Sequence, residues 1–271
     1  SLPARIAAEK PDIFHVHSPS LLGKYAVSLG KKLGIPVVGT FHSKYYDDFL
    51  KATRSESIAK MGVKLVVGFY NRCDEVWAVS KGAGENLKSL GFQGNYRVMN
   101  NGVDFTKGRV PADKVAEAAA GYDLPEGVPV FLFVGRIMTY KGLPLILDAL
   151  KLLRDSGRDF RMVFVGKGPD RDKCIFTGPI YDRDVLRAWN TRADLFLFPS
   201  TFDTNGLVVR EAAACGLASV LIRGSCAAEG ITDGRNGFTI DETPEAMAEL
   251  LKTVSGDLDR LADAGQHAMD E

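Results

Sequence analysis

Two groups of residues in this chain have the types and spacing for chemistry. The first is acidic: Asp203 and Glu211, in the stretch LFLFPSTFDTNGLVVREAAACG from Leu195 to Gly216. The second is basic: Arg136 and Lys141, in the run from Gly135 to Gly142. In each case an apolar run of strand length feeds a turn bounded by small residues, and a helix-forming run follows. A helix that starts at the carboxyl edge of a parallel sheet points unpaired backbone N–H groups into the crevice where ligands bind. Such an end is an anion site. Two cations beside it suit a pyrophosphate. Carboxylates do not hold phosphate, but they accept hydrogen bonds from hydroxyls. A site for phosphate and hydroxyls together fits a sugar nucleotide. Two cations or two acids alone would read as solvated surface; the strand-end positions and flanking glycines favour a site.

The elements that must position these groups alternate strand and helix along the chain. Apolar strand runs stand at 12–17, 36–40, 75–79, 96–99, 130–134, 161–165, 174–177, 195–199, 219–222 and 238–240, with helical patterning between most of them. This implies parallel sheets with right-handed crossovers. Ser80 is placed to cap a helix, Gly216 to end one, and helical patterning covers roughly thirty residues after His42, to about Arg72. Only seven residues separate Gly166 from Cys174, too few for a parallel crossover. A break between about Asp170 and Cys174 is therefore expected.

The flanking residues carry a family resemblance. Asp203-x7-Glu211, with Asn205-Gly206-Leu207 inside it and Ala214-Cys215-Gly216 after it, resembles the E-x7-E segment of the family-four retaining glycosyltransferases (glycosyl transferases group 1), which have the GT-B fold. The family has Glu at the first position, where this chain has Asp203. Gly135-Arg136-x4-Lys141-Gly142 resembles the family's GR-x4-KG element, Gly166-Lys167-Gly168-Pro169 its VGxGP turn, and Asn100-Asn101-Gly102-Val103-Asp104 its PNGVD junction, with Asn100 in place of the Pro. Thr40-Phe41-His42 is similar to its T-x-H element, and His17 stands at a similar H-x-H-S strand end.

The resemblance implies an α/β protein of two Rossmann-like domains. These are residues 1–104, acceptor-side and incomplete at the N-terminus, and residues 105–254, nucleotide-sugar-binding. A truncated helical tail, 255–271, follows. It implies a retaining hexosyltransferase with no required metal and no cofactor, its donor a nucleoside diphosphate sugar. His42, Arg136, Lys141 and Asp203 are the expected catalytic residues. Gly135, Gly166, Lys167, Ile180, Thr204, Asn205, Gly206, Leu207 and Glu211 are expected to bind the donor, Glu211 at the ribose and Ile180 near the base. His17, Lys44 and Tyr45 are acceptor candidates. His17 also suits a structural role, and Lys44, Tyr45 and Tyr46 equally suit a helix start with packing aromatics. His15 reads as packing and His267 as solvated. A sugar-nucleotide epimerase or hydrolase, and a noncatalytic sugar-nucleotide binder, stay open beside the transferase.

Composition bounds the rest. The 271 residues contain 34 Lys and Arg against 34 Asp and Glu, so there is no charge excess for nonspecific nucleic-acid binding. Four Cys without a CxxC pair or zinc spacing read as reduced thiols. No apolar run reaches membrane-spanning length. A cytoplasmic setting is expected, with peripheral contact at the inner face of a membrane left open. Base, sugar, acceptor and oligomeric state are undetermined.

Overall fold

The computed structural model describes residues 2–167 and 175–271. The chain divides into two compact units, Ser1–Asn101 and Gly102–Glu271. Asp104 thus lies inside the second unit.

The first unit runs α1 (Leu2–Ala8), β1 (Phe14–Val16), α2 (Leu21–Leu33), β2 (Val37–Phe41), α3 (Tyr45–Thr53), α4 (Glu56–Tyr70), β3 (Glu75–Ala78), α5 (Lys81–Ser89) and β4 (Arg97–Val98). Its sheet is parallel, in the order β1-β2-β3-β4. Strand β2 is buried along its whole length, which is why its run is apolar but for Thr40. The helical stretch after His42 consists of two helices. Arg54 takes a left-handed conformation (φ 52°), and Ser55 caps α4 by accepting from the Ile58 amide at 3.5 Å. A left-handed residue ends a helix, and a serine just after it starts another. Ser20 and Ser80 cap α2 and α5 in the same way.

The second unit runs α6 (Ala112–Ala119), β5 (Val130–Val134), α7 (Leu143–Asp155), β6 (Arg161–Val165), β7 (Ile175–Gly178), α8 (Arg183–Arg192), β8 (Leu195–Phe198), α9 (Leu207–Ala214), β9 (Ser219–Ile222), β10 (Phe238–Ile240), α10 (Pro244–Val254) and α11 (Leu258–Asp270). The sheet order is β10-β9-β8-β5-β6-β7, all parallel. The chain winds outward from β5 to one side, then returns through β8 and winds to the other. The strand order reverses between β5 and β8, and open parallel sheets bind ligands in the crevice at such a switch point. The aromatic run Phe131, Phe133, Phe164, Phe196 and Phe198 fills the core beneath it.

The break expected near Asp170–Cys174 lies outside the described residues. The tail beyond residue 254 is more than a polar helix: α11 buries Leu261 and Ala264. Gly265 sits so close to the end of α9 that a Cβ there would lie 2.1 Å from the Gly216 carbonyl oxygen.

Both units use one device to start their sheets. The Asp74 carboxylate accepts from the Val37 amide at 2.8 Å. The Asp194 carboxylate accepts from the Val130 amide at 2.8 Å. Each aspartate stands just before its own strand and satisfies the otherwise orphaned first donor of the neighbouring one. Among the described residues no helix is long and apolar enough to cross a membrane.

Candidate functional site

The two turns singled out by sequence follow β5 and β8, and these strands are hydrogen-bonded neighbours with Phe131 opposite Leu195. Pairing brings the turns together. Gly142 (φ 79°) lies against the second turn so tightly that a Cβ would be 2.3 Å from the Pro199 carbonyl oxygen. The Tyr140 and Phe202 rings pack at 5.0 Å. Lys141 Nζ donates to both carboxylate oxygens of Asp203, at 2.6 and 2.8 Å. The buried Ser200 hydroxyl donates to Asp203 Oδ2 at 2.5 Å. Lys141 also lies 5.6 Å from the Phe198 ring centroid, and the Arg136 guanidinium sits 6.0 Å from that of Tyr140. Basic and acidic turns therefore meet as one cluster. Asp203, read from sequence as a hydroxyl acceptor, has both oxygens engaged by protein groups.

The neighbouring strand ends are stitched to this cluster. The Gly135 amide donates to the Val165 carbonyl at 3.0 Å, Ile137 to Lys167 at 3.1 Å, and Gly166 to Gly178 at 3.0 Å. A Cβ at Gly166 would lie 2.0 Å from the Gly135 carbonyl oxygen, so only glycine permits the approach. Lys167 is exposed and Ile180 packs, half-buried, against the core.

Helix α6 starts after Pro111 with no side-chain cap. Helices α8, α10 and α11 are capped by the side chains of Asp182, Thr243 and Asp257. Helices α7 and α9 begin instead at left-handed glycines, Gly142 and Gly206, with no side-chain cap. Both start at the switch point, where their first amides carry partial positive charge, although Pro144 removes one donor from the first turn of α7. Asn205 and Gly206 are buried, Thr204 half-buried and Leu207 exposed around the start of α9.

Glu211, one helical turn further in, is not part of the lysine cluster. Its Oε1 accepts from Arg183 Nη1 at 3.1 Å, and its side chain is 14% exposed. Arg183 also pairs with Asp104 and stacks over the Phe105 ring at 4.3 Å. Sequence reasoning missed Arg183, Ser200 and Tyr140. Arg183 follows its helix cap and precedes Glu211 by 28 positions, and no local pattern signals that pairing.

In the first unit three histidines gather where β1 and β2 end. His17 Nδ1 and His42 Nε2 are hydrogen-bonded at 2.9 Å. His15 Nε2 bonds the Thr40 hydroxyl at 2.7 Å, and its ring lies 4.1 Å from that of His17. Burial, and then the charges of neighbouring imidazoles, hold His15 and His42 below the usual imidazole value. Tyr45 packs on Phe41 and Phe49, and burial pushes its phenol up. Lys44 is half-buried just before it. His267 rests on the Asp263 carbonyl within its own helix.

Comparison with known proteins fits this geometry. Residues 128–257 match the family described as glycosyl transferases group 1, and residues 1–107 match glycosyltransferase family 4. The chain belongs to the group 1, family 4 glycosyltransferases. The chain is 29% identical to sulfoquinovosyl transferase SQD2 of Arabidopsis thaliana, over 99% of its own length and 54% of that protein. It is 26% identical to a GDP-mannose-dependent alpha-mannosyltransferase of Corynebacterium glutamicum, over 96% of its own length and 64% of that protein. It therefore spans only part of the length of these relatives. The crystal structure of Anabaena HepE in complex with UDP superposes with a TM-score of 0.79 at 18% identity, covering 99% of this chain and 76% of that one. The two Rossmann-like units are those of the GT-B fold. In the second unit a cavity of about 650 Å³ also opens at the opposite, amino end of the sheet, lined by Arg109, Tyr122, Arg192 and Asp194 among others. It contains none of the residues at the switch point.

Proposed function

We propose that the protein transfers a hexose, with retention and without a metal ion, from a nucleoside diphosphate sugar to an acceptor hydroxyl. One observation carries the reading: Lys141 and two uncapped helix starts face the crevice between β5 and β8, the switch point of the second sheet. As the sugar–phosphate bond breaks, negative charge grows on the departing diphosphate. Arg136, Lys141 and the first amides of α7 and α9 are assigned to that charge. Each preorganised donor of this kind is worth about 10²-fold in rate. Lys141 reaches the diphosphate while Asp203 fixes its ammonium in place. Glu211 accepts from the ribose hydroxyls, and the turn at Ile180 lines the base. Asp203 Oδ1 keeps acceptor capacity for a sugar hydroxyl, since a carboxylate oxygen accepts more than one hydrogen bond. His42 is assigned to the donor sugar and His17, Lys44 and Tyr45 to the acceptor side, in a cytoplasmic setting.

The test is calorimetric titration of the intact protein with UDP-, GDP- and ADP-sugars, in buffer containing EDTA. One of the three is expected to bind, and Lys141→Met is expected to weaken it at least tenfold. Turnover of that donor in EDTA supports metal independence. An anomer-resolved product spectrum that shows inversion, or unchanged donor affinity in Lys141→Met, refutes the assignment.

A further inference from the structure

We infer that Arg183 is a positioning residue for Glu211, and that through Glu211 it sets how tightly the ribose of a bound nucleotide is held. The inference rests on the proposed role of Glu211 at the ribose and adds a residue that role does not name. Glu211 is largely buried at 14% exposure, and a carboxylate taken out of water needs a fixed cationic partner. Arg183 supplies it, with Nη1 on Oε1 at 3.1 Å. The guanidinium is itself fixed on two other sides: Nη2 pairs with Asp104, and its plane lies over the Phe105 ring at 4.3 Å. Both of these residues belong to the segment that opens the second unit. Two anchors thus hold one planar group, and that group holds one carboxylate. An ionised carboxylate has about four acceptor positions on its two oxygens. Arg183 occupies one position on Oε1, and Oε2 remains for the two ribose hydroxyls. Without Arg183, Glu211 loses its fixed orientation and the charge that justifies its burial.

The experiment measures binding of UDP, GDP and ADP, each against its 2′,3′-dideoxy form, to the intact protein and to Arg183→Gln, Arg183→Lys and Glu211→Gln. The ratio of the two affinities reads the ribose contact alone. A nonspecific loss of structure or charge moves both members of a pair equally. In the parent the ribose form is expected to bind about tenfold tighter or more, the scale of hydrogen bonds to a carboxylate. Arg183→Gln is expected to bring the ratio close to one, and Arg183→Lys to restore part of it. Glu211→Gln separates the two ideas. If Glu211→Gln abolishes the ratio while both Arg183 variants keep it, the inference fails and the Glu211 reading stands. If Glu211→Gln keeps the parent ratio, the ribose role of Glu211 fails and the inference falls with it.

Discussion

Replacing Lys141 with Met removes an ammonium that is 13% exposed from a carboxylate that is 23% exposed. The methylene stem is kept, so the change is mostly one of charge. Two contacts at 2.6 and 2.8 Å are lost, and Asp203 is left with the Ser200 hydroxyl. Breaking a fully buried pair from one side costs about 3–5 kcal/mol, whereas a surface pair contributes about 0.2–1 kcal/mol. The partial burial here and the remaining hydroxyl place Lys141→Met at about 2 kcal/mol. Asp203→Asn keeps a carbonyl oxygen for the ammonium and is expected to cost about 1 kcal/mol. In the double variant neither charge is stranded, so the two costs should not add, with a coupling of about 1.5 kcal/mol. The assay is urea unfolding of residues 1–271 carrying Trp77→Phe, so that the buried Trp189 reports the second unit alone. A coupling below about 0.5 kcal/mol would show that the pair behaves like surface charges. It would refute the view that Asp203 fixes Lys141.

Three further outcomes follow from the geometry. Gly142 and Gly157 share a left-handed backbone, φ 79° and 80°, but only Gly142 has an atom where a Cβ would go. Gly157→Ala should cost about 1 kcal/mol for the conformation alone, and Gly142→Ala about 3 kcal/mol with overlap added; equal thermal shifts would contradict the close approach to Pro199. His15 and His42 are held below the usual imidazole value, so below about pH 6.5 the folded chain binds fewer protons than the unfolded one. Their stability contribution is full above that pH and declines as pH falls; urea midpoints of the first unit should drop from pH 7 to 5, and less so in His42→Asn. Asp194→Ala strands the Val130 amide at a cost of about 1–3 kcal/mol, and hydrogen exchange at Val130 should accelerate; unchanged protection would remove the strand-starting role.

The strands were legible because parallel strands buried on both faces are mostly apolar runs. VVGTF, VFLFV and LFLF give their own boundaries to within a residue. The Ser80 cap and the glycine after α9 were equally plain, since they act on backbone groups a few positions away, whereas the caps at Ser20 and Ser55 were not read. Less legible was the boundary within the stretch after His42, where the left-handed Arg54 and the cap Ser55 separate two helices.

The same division runs through the site. Residue types and local spacing determined that Arg136, Lys141, Asp203 and Glu211 lie on turns and helix starts at strand ends, because those signals are written within about ten residues. Which of them touch was decided by strand order. Only the pairing of β5 with β8 puts Lys141 on Asp203, 62 positions away. Only the placement of α8 gives Glu211 to Arg183 rather than to the basic turn. Long-range ion pairs depend on topology and burial, and one-dimensional spacing does not encode them.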